Sequence, residues 1–193
     1  MGRPQNAWGW HQLGTDWAEL IVGEARLGPG DWVVDVGAGR GALTAPLYAT
    51  GAHVIAVEAH PGRAAYLRER FGSSIVVACA DAGDLRWPRR PYHVIANPPF
   101  AISSRLLRRL LQPGSRLLTA RLILPRQTAL RWAGPHAPGA PRWRRDFDAR
   151  LGLRLPRSAF RPSPRADVQV LEIRRRRISC PAPLSRAPTG PAP

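Results

Sequence analysis

A chain of 193 residues, 44% of them hydrophobic, is long enough for one α/β domain with a buried core but too short for two such domains. It has no apolar run near the roughly 18 residues of a membrane span and no signal-peptide pattern, so we expect a cytoplasmic protein without a membrane partner. Cys79 and Cys180 stand far apart and the five histidines are scattered, so we expect no disulfide framework and no metal site.

The formal net charge of +16 comes entirely from the second half of the chain. Residues 1–100 contain nine arginines and nine acids, whereas residues 101–193 contain twenty arginines and four acids. This asymmetry indicates that one side of the molecule, which we expect to be a monomer, binds a polyanion, most simply a nucleic acid. All 29 basic residues are arginine, which codon usage in a GC-rich genome explains better than a need for bidentate phosphate binding.

The first predicted elements are an N-terminal arm and a helix. Residues 1–14 form a polar arm in which Trp8 and Trp10 could either close over a cofactor or pack on the domain. A helix is predicted over residues 17–26. Its expected N-cap is one of two neighbouring residues with short polar side chains, Thr15 or Asp16. Its expected inward face is apolar and consists of Trp17, Leu20, Ile21 and Ala25.

A glycine-rich turn follows the first predicted strand. Residues 32–36 are apolar and largely β-branched apart from Asp35, and Gly37, Ala38 and Gly39 come directly after them. Such a turn lets a ligand approach the backbone closely, and we expect its amide groups to be free and to face the cofactor. The spacing G-x-G-x-G differs from the G-x-G-x-x-G of dinucleotide-binding folds.

Acidic residues follow the next two predicted strands. Glu58 ends the strand over residues 53–57, where a carboxylate can accept hydrogen bonds from both ribose hydroxyls of an adenosine. Asp81 follows the strand over residues 75–78, where it can reach an adenine amino group. A turn, a ribose acceptor and an adenine contact at three successive strand ends favour S-adenosylmethionine over NAD as the cofactor.

The middle of the chain continues the alternation of strands and helices. Pro61 suits the first turn of a helix, and strands are predicted over residues 92–96 and 117–124. Ser103 can cap a helix between those two strands. The helix after Pro61 has an inward face of three apolar or aromatic residues, Ala64, Leu67 and Phe71. This alternation predicts an α/β fold with a mainly parallel sheet that helices cover on both faces.

The last third of the chain is predicted to close the sheet. Residues 133–143 are rich in proline and glycine and are predicted to form the least ordered internal loop. Strands over residues 150–155 and 168–174 are expected to pair in antiparallel fashion, which ends a catalytic domain of residues 15–174. Residues 175–193 form a basic, proline-rich tail that we expect to be disordered unless RNA orders it.

The residues Asn97-Pro98-Pro99-Phe100 follow the fourth predicted strand and suggest chemistry on an adenine. The amino group of adenine is a poor nucleophile because its lone pair is delocalised into the ring. If the Asn97 side-chain oxygen and the Pro98 carbonyl each accept one of its N–H bonds, the lone pair is aimed at the methyl group, and Phe100 can stack on the base. The base must then leave its helix. The alternative is that this sequence is only a rigid turn.

Three segments together give the chain a family resemblance. Residues 35–44, DVGAGRGALT, and the motif at residues 97–100 resemble the rRNA adenine N6-methyltransferases, in particular the Erm group that modifies 23S rRNA. Residues 156–167, PRSAFRPSPRAD, resemble the P-x-x-x-F-x-P-x-P-x-V-D segment of that group. The similarity covers residues 10–174, and the last segment separates the Erm group from other enzymes with an NPPF or NPPY motif.

This resemblance implies a Rossmann-like S-adenosylmethionine-dependent methyltransferase fold and methylation of one adenine in the peptidyl-transferase region of 23S rRNA, naked or in the assembling large subunit. In the family, such methylation blocks the binding of macrolides, lincosamides and streptogramin B. By the same resemblance, Phe160 is a second aromatic near the target base. The implied cofactor contacts at motif-matching positions are Gly37, Glu58, Asp81 and Asn97.

The chain departs from the Erm pattern at three places. The family's N-terminal Q-N-F-L-T-D reads HQLGTD here, which puts His11 and Leu13 at two positions that contact the cofactor in the family. Pro98 replaces an isoleucine or leucine, but the chemistry needs only its carbonyl. We expect the family's C-terminal helical domain to be absent and arginines of the second half to bind RNA in its place. The arginines predicted to do so are Arg105, Arg108, Arg109, Arg144, Arg145 and Arg175.

Two other classes of function stay open on the sequence alone. A 16S rRNA adenine dimethylase, a DNA adenine methyltransferase or a protein glutamine methyltransferase would share the glycine turn, the acids and the NPPF motif. A non-catalytic, methyltransferase-like RNA-binding protein would explain the charge but not the intact motif.

Overall fold

The computed structural model describes residues 11–176, so that Trp8, Trp10, most of the predicted arm and residues 177–193 of the predicted tail lie outside it. The described strands are β1 (Gln12–Leu13), β2 (Trp32–Val36), β3 (His53–Glu58), β4 (Val76–Cys79), β5 (Tyr92–Ala96), β6 (Leu117–Pro125), β7 (Phe147–Leu155), β8 (Phe160–Arg161) and β9 (Val168–Arg175). The described helices are α1 (Thr15–Gly23), α2 (Thr44–Ala49), α3 (Pro61–Phe71), α4 (Ser103–Leu110), α5 (Arg126–Ala133) and α6 (Ala140–Trp143). Short 3-10 helices cover Gly72–Ser74, Phe100–Ile102 and Arg157–Ala159.

A seven-stranded sheet with the order β4-β3-β2-β5-β6-β9-β7 forms the centre of the fold. The first five strands in this order are parallel, and β9 is antiparallel to both β6 and β7. The predicted mainly parallel sheet with an antiparallel final pair is therefore confirmed. A second, two-stranded sheet pairs β1 with β8, with Leu13 opposite Phe160. This small sheet ties the N-terminal segment to the segment at residues 156–167.

Helices cover both faces of the sheet, and each face has its own core. Val33 and Val34 of β2 are neighbours in the chain but pack into different cores, because successive side chains of a strand alternate between faces. On one face lie α1, α2 and α3, and on the other lie α4, α5 and α6. The α4 leucines at positions 106, 107 and 110 are at most 1% exposed. Each such leucine stabilises the fold by about 1.5–3 kcal/mol.

The first helix differs from its prediction in both its ends and in the position of Leu20, whereas the predicted inward residues Trp17, Ile21 and Ala25 do pack against the core. It runs over Thr15–Gly23 and begins from Gly14, with no side chain capping it. Its buried residues are Ala18, Ile21 and Val22, whereas Leu20 is 46% exposed. The physical reason is that the Gly14 amide donates to the Ala159 carbonyl at 2.8 Å, which fixes the start and rotation of the helix through a contact distant in sequence.

The helix after the NPPF motif also begins differently from its prediction. Ser103 is the first residue of α4 and not its cap, since Ile102 occupies the N-cap position without a side-chain hydrogen bond. The chain leaves the motif through a 3-10 turn in which the Ile102 amide donates to the Pro99 carbonyl at 3.0 Å. Helical geometry is therefore established before Ser103, whose buried hydroxyl has no partner among the described residues.

The prediction that residues 133–143 form a poorly ordered loop is wrong. It contains the short helix α6, and it follows a helix, α5, that was not predicted. Trp143 is only 4% exposed, packs against Trp132 with ring centroids 6.3 Å apart, and donates its indole N–H to the Pro138 carbonyl at 3.0 Å. The segment is folded because tryptophans from two consecutive helices bury each other. Strand β7 also starts at Phe147, three residues before its predicted start, and β9 extends to Arg175.

Candidate active site

A cavity of about 320 Å³ lies at the carboxyl ends of the parallel strands. The strand order changes direction between β2 and β5, and such a reversal is where open α/β sheets bind ligands. The volume lies in the range of small-molecule and cofactor sites. Residues from five predicted segments line it, among them His11, Gly37, Glu58, Asp81, Asn97, Pro98 and Phe100. The structure thus brings together seven of the residues that the sequence analysis singled out.

The glycine turn does not offer free amide groups, and that expectation is wrong. The Gly37 and Ala38 amides both donate to the Val57 carbonyl, at 2.8 and 3.0 Å, and the Gly39 amide donates to Glu58 Oε2 at 2.8 Å. The backbone amides of the turn therefore bond to the end of β3 and are not available to a ligand. The turn instead needs a residue without a Cβ at position 37, because φ of Gly37 is +79° and an added Cβ would lie 3.1 Å from Cδ of Pro99.

Glu58 is held in one orientation at the cavity wall. The residue is 3% exposed, and its Oε1 accepts from the His60 amide at 2.8 Å and from Arg63 Nε at 3.2 Å. Because a carboxylate oxygen has more than one acceptor site, the carboxylate can still accept hydrogen bonds from a ribose. Arg63 was missed by the sequence analysis. Its place in the first turn of the helix that directly follows the acid was the available signal.

Asp35 lies beneath the glycine turn, where it is 1% exposed. Burial raises its pKa to about 7, the hydrogen bond from Thr44 opposes this rise, and the negative charge of Glu58 adds to it. Thr44 Oγ1 donates to Asp35 Oδ2 at 2.7 Å, while Oδ1 has no partner among the described residues. Asp35 borders a small recess beside the main cavity, together with Leu13 and Ala38. A buried acceptor without a donor suits a cationic or N–H-bearing group of a ligand.

The Asn97 side chain has a defined orientation. Its Nδ2 donates to the His11 carbonyl at 2.7 Å, and since a carbonyl can only accept, the amide nitrogen must be on that side. Oδ1 is therefore left as an acceptor. The His11 ring lies 5.6 Å from the Phe100 ring, and its Nδ1 is 2.8 Å from the Pro162 carbonyl, so Nδ1 carries the proton. His11 thus connects the NPPF turn to the segment that follows β8.

Asp81 lies at the outer wall of the cavity and is exposed. Its Oδ1 accepts from the Gly83 amide at 2.6 Å and lies 3.6 Å from NH1 of Arg105. The hydrogen bond from the Gly83 amide therefore limits the orientations that the carboxylate can adopt. This position is compatible with the predicted contact to an adenine ring.

Phe160 does not line the cavity, so the structure contradicts its predicted role in stacking on the base. It is 2% exposed and belongs to the core beneath α1, α2 and α3. The pairing of Phe160 with Leu13 places both side chains in that core, and Leu13 is also 2% exposed. Phe100 is the aromatic residue of the motif that does line the cavity, and it is half-buried.

Three of the six arginines predicted to bind RNA are engaged inside the molecule, which corrects that prediction. Arg109 donates to the carbonyls of residues 82, 83 and 85, Arg144 to those of residues 133 and 134, and Arg175 to those of residues 115 and 117. A guanidinium group has five N–H donors and readily satisfies backbone carbonyls at the ends of helices and strands. Arg105, Arg108 and Arg145 are exposed.

A family profile described as ribosomal RNA adenine dimethylase matches residues 15–183. The chain belongs to the ribosomal RNA adenine dimethylase family. In this family, the rRNA adenine N-6-methyltransferase of Corynebacterium diphtheriae is 36% identical over 146 residues, which are 74% of this chain and 57% of that protein. The "Probable ribosomal RNA small subunit methyltransferase A" of Methanosarcina mazei is 32% identical over 181 residues, or 89% of this chain and 64% of that protein.

Among solved structures, that of the 23S rRNA methyltransferase ErmE matches with a TM-score of 0.74 and 25% identity, over 84% of this chain and 68% of that chain. The Rossmann-like methyltransferase fold predicted from the sequence is thereby confirmed. The chain spans less than two thirds of the length of the two relatives above. Within residues 11–176, no helix is long and apolar enough to cross a bilayer, and no three potential metal ligands come together.

Proposed function

We propose that this member of the ribosomal RNA adenine dimethylase family transfers the methyl group of S-adenosylmethionine to N6 of an adenine in the peptidyl-transferase region of 23S rRNA. The observation that carries the proposal is the Asn97 amide, whose nitrogen is fixed on the His11 carbonyl at 2.7 Å and whose oxygen is left to accept. Such an acceptor, set beside a cofactor-sized cavity, is what an adenine amino group needs in order to be oriented.

The residues around the cavity fit S-adenosylmethionine. The buried Glu58 carboxylate can accept from the ribose hydroxyls, and Asp81 can accept from the adenine amino group. Asp35 Oδ1, buried and without a partner among the described residues, suits the α-amino group. When bound, S-adenosylmethionine supplies the electrophilic methyl group that is transferred.

The chain's own residues then position the nucleophile. The Asn97 oxygen and the Pro98 carbonyl accept the two N–H bonds of the adenine amino group, which turns its lone pair towards the cofactor. Phe100, half-buried at the cavity, stacks on the extruded base. As the new N–C bond formed, the methyl–sulfur bond would break and the demethylated cofactor would be the leaving group. The methylated nitrogen would then release one proton to water, so no side chain has to remove a proton before transfer, and the catalysis consists of orientation and polarisation.

The choice of 23S rRNA rests on the Erm-like segment at residues 156–167 and on the similarity to the 23S rRNA methyltransferase ErmE. In this reading, the protein acts in the cytoplasm on naked 23S rRNA or the assembling large subunit, and it confers resistance to macrolides, lincosamides and streptogramin B. The second candidate is methylation of 16S rRNA, which the match to a small-subunit methyltransferase favours.

The experiment that tests the proposal offers labelled S-adenosylmethionine and four substrates in parallel: naked 23S rRNA, naked 16S rRNA, adenine-containing DNA and a glutamine-containing protein substrate. We expect label in 23S rRNA, with a primer-extension stop at one site in the peptidyl-transferase region. Label in 16S rRNA alone would support the second candidate. Binding of RNA without transfer of label to any substrate would show a non-catalytic protein and reject both.

A further inference from the structure

A second, basic cavity lies at the opposite end of the sheet from the candidate active site. It has a volume of about 450 Å³ and is built from the loop before β5 and the loop before β6. Four arginines line it, Arg86, Arg89, Arg109 and Arg116, against a single acid, Asp84. Tyr92, the first residue of β5, lies in its wall, whereas Asn97 follows the last residue of the same strand. The two sites are therefore about 16 Å apart along β5, at roughly 3.3 Å per residue.

Three of the lining arginines have no intramolecular hydrogen bond or ion pair within the described residues. They are Arg86, Arg89 and Arg116, and all three are exposed. Three unpaired cations around one concave surface repel one another, which raises the local positive potential. A bound anion would relieve that repulsion, so this arrangement favours an anionic ligand.

Hydrogen bonds from two other arginines and one stacked pair of rings hold the walls of this cavity in place. Arg109 donates to the Leu85 carbonyl at 2.6 Å and to the Ala82 carbonyl at 2.9 Å, which fixes one loop. Trp87 stacks on Tyr92 with ring centroids 5.6 Å apart and planes 10° apart. Arg175 donates to the carbonyls of Ser115 and Leu117 and so fixes the other loop. Such preorganisation lowers the entropy lost when a ligand binds.

Helix α4 connects this cavity to the candidate active site. It begins three residues after the NPPF motif and runs to Leu110, after which Gln112, Gly114, Ser115 and Arg116 line the cavity. Arg105 and Arg108 are exposed and three residues apart, so they lie on the same side of the helix. Positive charge thus continues from the catalytic turn along α4 to the second cavity.

We propose that this cavity binds the phosphate backbone of the RNA substrate, so that the RNA runs along α4 from the extruded adenine to the arginines Arg86, Arg89 and Arg116. The proposal rests on the proposed function, because it takes RNA to be the substrate. It also gives Arg109 and Arg175 a different part from the one predicted: they position the loops that hold the binding arginines and do not touch RNA. Unlike a free anion, an RNA backbone can engage both the cavity and α4 at once.

The test compares two double variants that lose the same charge. Arg86→Gln/Arg116→Gln removes two arginines of the cavity, while Arg131→Gln/Arg154→Gln removes two exposed arginines on α5 and β7 that do not line it. Affinity for a 23S rRNA transcript that contains the peptidyl-transferase region is measured over a range of salt concentrations. Each lost phosphate contact lowers the slope of log affinity against log salt by about 0.7–0.9, so the cavity variant should lose about 1.4–1.8. S-adenosylmethionine affinity and turnover at saturating RNA should stay at wild-type values.

A cavity variant whose salt slope equals that of the control variant would overturn the proposal. Loss of binding to a mononucleotide such as AMP, with the RNA slope equal to that of the control, would overturn it as well, because the cavity would then be a small-molecule site. Failure of the proposed function is a separate result: wild-type protein that binds the transcript but transfers no methyl group rejects the enzyme and leaves the slope comparison intact.

Discussion

A Cβ atom placed on Gly37 would lie 3.1 Å from Cδ of Pro99, so the glycine turn after β2 and the NPPF turn after β5 are in direct packing contact. The two motifs are about 60 residues apart in the chain, yet each limits the position of the other. The two turns therefore form a single rigid unit, which under the proposed function would set the methyl donor and the target base at a fixed separation.

Replacing Gly37 with alanine should impair cofactor binding beyond its effect on stability. The positive φ strains any side chain there, typically by 1–3 kcal/mol, and the new Cβ presses on Pro98 and Pro99. Gly114 offers a matched control, because its φ of +76° is nearly the same but an added Cβ would meet nothing within 4 Å. We expect Gly114→Ala to lose only the stability that the positive φ costs and to keep its S-adenosylmethionine affinity in calorimetry, and Gly37→Ala to lose more stability in urea and to lose cofactor affinity as well. Equal affinities for the two variants would contradict this.

Removing the Asn97 amide should affect turnover far more than RNA binding. Asn97→Ala eliminates the acceptor that orients the adenine amino group, and loss of such a polar contact typically lowers turnover by about 10²–10³-fold. Single-turnover methylation and RNA affinity, measured on the same transcript, separate the two effects. The matched variant Asn97→Asp keeps an oxygen acceptor but cannot donate to the His11 carbonyl, so we expect it to be equally inactive. An active Asn97→Asp would show that the orientation set by His11 is unimportant.

Asp35 should make stability fall as pH rises towards neutrality. Its folded pKa of about 7 lies above its ordinary value of 3.8, so the folded state holds a proton that the unfolded state has released. The stabilisation is complete below pH 4 and is lost as pH rises through about 7. Relative to Asp35→Asn, which does not titrate, the wild type should lose about 2–3 kcal/mol between pH 5 and pH 8.

Urea unfolding of both proteins at the two pH values measures this difference, since all other titrating groups are shared. A constant difference between wild type and Asp35→Asn would mean that Asp35 is ionised throughout. If the α-amino group of S-adenosylmethionine meets Asp35, cofactor affinity should also increase through the same pH range in the wild type and not in the variant.

Two neighbouring arginines on α4 should behave differently although their charge is the same. Arg109 donates to three backbone carbonyls, whereas Arg108 is exposed and forms no such bond within the described residues. Arg109→Gln leaves these carbonyls without their donor and should lower the free energy of unfolding by about 1–3 kcal/mol. Arg108→Gln should change it by less than about 0.5 kcal/mol and should weaken RNA binding instead. The opposite pattern would restore the role first predicted for Arg109.

The strands and the cavity residues could be predicted from the sequence because both follow local patterns. The β-branched run before the glycines and the acid that ends β3 each depend on only a few consecutive residues. The roles of individual arginines could not be predicted, since composition gives their number and sign but not which carbonyls they reach. Arg144, for example, bonds to the end of α5, a helix that was itself missed.

Local sequence patterns do not show contacts between segments, and this explains the two wrong predictions at the glycine turn and at residues 133–143. The turn's amides were expected to be free because the sequence does not show that the Val57 carbonyl lies opposite Gly37 and Ala38. The proline- and glycine-rich segment folds because Trp143 reaches Trp132 across the α5–α6 connection. In both cases, a contact between segments overrides the local preference.

Phe160 and Phe100 should have different roles, although the resemblance places both of them near the target base. Phe160 is 2% exposed in the core, so Phe160→Ala leaves a cavity there and should lower the free energy of unfolding by about 3–5 kcal/mol. Phe100 is half-buried at the active-site cavity, so Phe100→Ala should cost much less stability and should lower methylation through loss of base stacking. Urea unfolding and single-turnover methylation are measured on both variants. Phe160→Leu, which refills most of the core volume, should recover stability and full methylation, because a core residue needs only volume. If Phe160→Leu is as stable as the wild type yet inactive, the Phe160 ring does contact the base, and the cavity must open towards it when RNA binds.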